Sequence, residues 1–181
     1  MTMALRLRKF ALTLHVAFSV GWSGAVFASL ALGVVGVTSQ DPRLVRAVYQ
    51  AMEPLGWYVL VPLSLASLAT GLVVSLGTRW GLFRHYWVLV KLIINVFASV
   101  ILLLYMQTLG YLADVAVSGD LRELRGLTAV IHGGGALVLL LGATALSVYK
   151  PRGMTRYGRR KQREQRAESR PQSSSLVPTD V

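Results

Sequence analysis

The chain has 181 residues, 54% of them hydrophobic and only 15% charged, with a mean hydropathy of +0.53. A soluble domain of this length needs far more polar surface, so these figures place the chain in the membrane class. The absence of cysteine excludes disulfides, thiolate nucleophiles and cysteine metal sites, while the net charge of +11 raises a question that its distribution answers.

Residues 1–9 form a short basic N-terminus carrying Arg6, Arg8 and Lys9. Four segments then follow that are apolar and long enough to cross a bilayer, which takes roughly 20 residues. They are residues 10–37, 55–78, 86–109 and 127–149. The basic start resembles that of a signal peptide, but the apolar run is about twice the usual length. It therefore reads as an uncleaved first span, with cleavage near Ala28 as the alternative. Between spans one and two, Asp41-Pro42 reads as an N-cap followed by a first-turn proline. A short helix over Arg43–Met52, stopped before Pro54, is the expectation, with a kink in span two at Pro62. Asp120–Arg125 is expected to add one helical turn before span four. Residues 150–181, basic and then rich in Ser, Pro and Gln, are expected to be a largely disordered tail.

Charge sets the orientation. Fourteen Lys and Arg residues fall on the side of the two termini and the 79–84 loop, against four on the other side (Arg43, Arg46, Arg122, Arg125). Positive-inside reasoning puts both termini in the cytoplasm. Trp57 and Tyr58 mark the outer interface, and Trp80, Tyr86, Trp87 and Tyr149 the inner one. The juxtamembrane basic tail matches anionic lipid headgroups better than nucleic acid. Small residues at helical spacing (Ala17, Gly21, Ala25, Ser29, Gly33 in span one) favour close helix packing, as do the Ser/Gly row of span two and Gly133–Gly135 in span four. The expected fold is an all-α integral membrane four-helix bundle with span one central to its contacts.

Lys91 is the one formal charge inside the four apolar segments. A lysine at membrane depth marks a site or a partner by default, unless it snorkels to the headgroups. At a rise of about 1.5 Å per residue, His15 and Lys91 each lie roughly 8 Å below the inner boundary. His132 lies about as deep below the outer one, leaving roughly 14 Å between the two levels of a 30 Å core. His15 and Lys91 can thus meet in one layer, whereas His132 is poorly placed to share an ion with His15. His15, Ser19, Trp22 and Ser23 share one helix face, and Lys91, Asn95 and Ser99 share another. Neutral His15 is a candidate metal or haem ligand, with His132 a weaker one. Lys91 reads either as an axial ligand or as a counter-charge. His132-Gly133-Gly134-Gly135 spells a lipase oxyanion loop, but it lies within a span and no G-x-S-x-G elbow accompanies it, so a hydrolase is excluded.

Three segments carry a resemblance: Leu14-His15 with Gly21-Trp22-Ser23-Gly24, then Gly81-Leu-Phe-Arg-His-Tyr-Trp-Val-Leu-Val-Lys91, then Ser147 to Gln162. Over roughly residues 5–162 the chain resembles a family of bacterial four-span membrane proteins of unknown function. More distantly it resembles the copper-resistance D-type proteins, whose first span has a His followed by Trp-x-Gly. It also resembles the HemJ-type protoporphyrinogen oxidases, which bind haem b between a first-span His and a third-span Lys. That resemblance implies haem b at His15 and Lys91 in a bacterial inner membrane, and Trp22 and Asn95, on the same two helix faces, are expected beside it. The chain departs from the HemJ type in lacking the arginine that follows in its first span, since nothing from Trp22 to Gln40 is charged. It departs from the copper type in its scattered methionines. Three readings follow: a haem- or metal-binding membrane protein, a HemJ-type oxidoreductase, or a structural protein without cofactor. The partners expected are the lipid bilayer, anionic headgroups and, as a candidate, a second copy of the chain.

Overall fold

The computed structural model describes residues 4–77, 82–83, 85–118, 120–151 and 153–168. Among these, the regular elements are all helical, beside an isolated bridge between His85 and Met154. They are α1 (Leu5–Thr38), α2 (Pro42–Leu55), α3 (Val61–Leu76), α4 (Tyr86–Ser118), α5 (Leu121–Leu124), α6 (Thr128–Tyr149) and α7 (Arg156–Glu168). Four helical stretches are long and apolar enough to cross a membrane: Leu5–Thr38, Pro42–Leu76, Tyr86–Val117 and Arg122–Tyr149. Trp80, the 79–84 arginines and residues 169–181 lie outside the described residues.

The long helices form a ring. α1 packs on α3 and α6, and α4 packs on the same two, so α1 and α4 occupy opposite corners. The expectation that span one is central to the contacts agrees with this: from its corner α1 packs on α2, α3 and α6. Where α1 meets α6, two glycines let the helices come close. A Cβ at Gly33 would lie 3.2 Å from Cβ of Ala129, and one at Gly133 3.2 Å from Cβ of Leu30. Gly134, Gly135 and Gly142 have nothing within 4 Å, so packing does not account for them.

At 33 residues α4 is about 50 Å long, well beyond a 30 Å hydrocarbon core. The end away from the basic termini has its own core. There α2 presents Val45, Val48, Tyr49 and Met52, all buried and spaced three or four apart, to Met106, Leu109 and Leu112 of α4. The Tyr49 hydroxyl donates to the Leu124 carbonyl at 2.5 Å, and Arg46 donates to the Ala116 carbonyl at 2.6 Å.

Asp41 caps α2 as expected, accepting from the Arg43 amide at 2.9 Å, and Asp120 caps α5 in the same way. The stop before Pro54 is not observed. The helix runs through Pro54, passes through a π-helical segment over Gly56–Leu60 and continues as α3 with Pro62 in its first turn. A π segment absorbs the carbonyls that prolines leave without donors, so the chain need not break. The tail also differs from expectation, because residues 156–168 are helical. Thr155 caps this helix, accepting from the Gly158 amide at 3.0 Å while its hydroxyl donates to the Phe83 carbonyl. The Tyr86 amide donates to the Gly153 carbonyl at 3.4 Å, so α7 is docked on the loop that enters α4.

Candidate functional site

His15 is buried on α1, and its surroundings fix its tautomer. Its Nδ1 lies 3.1 Å from the Ser67 carbonyl and 3.2 Å from the Thr70 hydroxyl oxygen. A carbonyl only accepts, and the single Thr70 proton is engaged by the Ala66 carbonyl at 2.6 Å. Nδ1 therefore carries the proton, and Nε2 of the neutral ring keeps its lone pair. Ser19, one turn along α1, hydrogen-bonds the Ser67 hydroxyl at 2.9 Å and holds the two helices in register. Gly71 makes room for the ring: a Cβ there would lie 2.9 Å from Cε1 of His15.

Lys91 lies on the opposite corner helix. Its Nζ donates to the Ser147 hydroxyl of α6 at 2.7 Å, and Ser147 donates onward to the Ala143 carbonyl at 3.0 Å. Among the described residues its bonded partner is thus a hydroxyl on a neighbouring helix, and no acidic side chain forms an ion pair with it.

Between these corners is a cavity of about 340 Å³. His15, Lys91 and Asn95 all line it, so the pair matched by depth and the helix neighbour of Lys91 come together. Trp87, Ser67, Ser75 and Ser147 contribute to the wall, and Arg8 and Lys150 stand where it nears the basic end. Among the described residues the lining thus holds three cationic side chains and no carboxylate.

Trp22 does not belong to this cavity. It is buried among Val26, Leu60, Ala98 and Leu140 and lines a second cavity, which also holds His132. His15 and His132 are thus on separate cavities, in line with their depths. Among the described residues no three His, Asp or Glu side chains gather as a metal site. Sequence reasoning takes Ser67 and Gly71 only as part of the packing row of span two and does not single out Ser147, Arg8 or Lys150 for this cavity.

No protein-family model matches the chain, and neither a curated protein nor a solved structure shows significant similarity to it.

Proposed function

We propose that the chain is a multi-pass membrane protein that binds haem b in the cavity between His15 and Lys91. The observation that carries this is the His15 tautomer: with Nδ1–H committed to the Ser67 carbonyl, Nε2 is left as a ligand nitrogen beside the cavity. A backbone carbonyl on the far ring nitrogen is the usual support of a metal-bound histidine, fixing the ring and raising its basicity. His15 and Lys91 would hold the iron, and Arg8 and Lys150 would offer positive charge to the propionates. A bound haem would supply one-electron redox chemistry.

The proposal extends to binding and not to porphyrinogen oxidation, because the first span has no charge from Trp22 to Gln40. A bacterial inner membrane, with the basic end cytoplasmic and α7 against anionic headgroups, completes the reading; Arg156, Arg159, Arg160 and Arg163 surround one shallow recess there. A second reading is favoured by the Lys91–Ser147 hydrogen bond, in which Lys91 acts as a donor. On that reading the cavity takes an anionic amphiphile without iron. Absorption separates them. Protein purified after haem-sufficient expression should show a Soret band that His15→Ala and Lys91→Ala each weaken. A colourless preparation would exclude the haem reading and leave the anionic amphiphile.

A further inference from the structure

The second cavity, about 230 Å³, shares no lining residue with the first. It is bounded mainly by α1, α4 and α6 and is walled almost entirely by apolar groups. Phe97, Ile101 and Ile131 line it and are 54%, 37% and 65% exposed, on the flanks of α4 and α6. A mouth edged by exposed apolar side chains of two membrane-spanning helices opens sideways into lipid. Its occupant would arrive through the bilayer.

Two polar groups on this wall have unused hydrogen-bonding capacity. Nδ1 of His132 lies 2.9 Å from the Thr128 carbonyl, which only accepts, so that nitrogen carries the proton. Nε2 is then the acceptor nitrogen of the ring, with no partner among the described residues. Tyr105 stacks on the imidazole with ring centroids 4.1 Å apart and planes 12° from parallel, which holds the ring in place. The Tyr105 hydroxyl is itself buried without a partner among the described residues. An unmet polar group in an apolar interior costs about 1–3 kcal/mol, so the buried Tyr105 hydroxyl needs a reason, and the free acceptor of part-buried His132 lies on the same wall. The remaining polar capacity is small, while Trp22, Phe97 and Tyr105 supply three aromatic surfaces. Gly135 lines the cavity with nothing within 4 Å of its absent Cβ.

We propose that this cavity binds a lipid-soluble quinol, whose ring lies among the aromatic walls and whose hydroxyl donates to Nε2 of His132. An acyl chain has no donor for that nitrogen, and a flat single ring suits the aromatic walls. The inference is independent of the haem reading, since the two cavities have different walls. The test is titration of the purified full chain, under anaerobic conditions, with a short-chain 1,4-benzoquinol and with its dimethyl ether, followed by tryptophan fluorescence. Trp22 is 2% exposed and lines the cavity, so a saturable quench is expected. His132→Phe keeps a flat ring against Tyr105 and should raise Kd about tenfold for the quinol, roughly one lost hydrogen bond. The ether should bind wild type no better than the quinol binds that variant. Gly135→Leu should abolish the quench by filling the space. A quench that does not saturate, equal binding of quinol and ether, or an unchanged Kd in Gly135→Leu would each overturn the proposal. The ether comparison uses wild type alone, so it decides even if a variant fails to fold.

Discussion

A methyl group added at Gly71 would lie 2.9 Å from Cε1 of His15, so the position of the imidazole depends on a missing side chain. Gly71→Ala should therefore weaken haem binding about tenfold, or about 1.4 kcal/mol, as read by titration. Gly134→Ala, with nothing within 4 Å, should leave it unchanged. Tyr49 offers a second test at this scale. Its hydroxyl serves the buried Leu124 carbonyl, so Tyr49→Phe should cost about 1–3 kcal/mol in denaturant unfolding of the detergent-solubilised protein. Lys91 and His15 were legible in sequence because a polar group at membrane depth is expensive enough to need a reason. Trp22 was misplaced for a geometric cause. Seven residues from His15 is about 10 Å along a helix axis, so sharing its face does not mean sharing its cavity. Ser147 gave no signal, being 56 residues from Lys91 in sequence.

At the scale of elements, helices and caps were readable while their irregularities were not. Asp41 and Asp120 announced α2 and α5 through their position before helical runs. The π segment over Gly56–Leu60 has no sequence signature, and the prolines on either side of it read as a stop at Pro54 and a kink at Pro62. Composition also hid α7, because a polar run without an apolar stripe reads as disorder until Thr155 is recognised as its cap. Thr155→Val removes both the cap and the link to the Phe83 carbonyl. It should destabilise α7 by about 1 kcal/mol, seen as faster amide exchange over residues 156–168 with the spans unaffected.

For the whole molecule, four spans and an all-α bundle followed from hydropathy, since only a helix satisfies its own backbone in lipid. The arrangement of those spans did not follow. Placing α1 and α4 at opposite corners is what turns two facing polar stripes into the walls of a cavity rather than a helix contact. Orientation can be tested directly because the chain has no cysteine of its own. An impermeant maleimide added to intact cells should label Gln50→Cys, which is exposed on α2, and spare Arg163→Cys, which is exposed on α7. The reverse pattern would invert the topology. The claim that His15 and Lys91 together hold haem is met most directly by adding haem b to purified protein and to two variants. Wild type should give a six-coordinate low-spin spectrum, Lys91→Ala a five-coordinate one, and His15→Ala only free haem. Identical spectra from all three would contradict it.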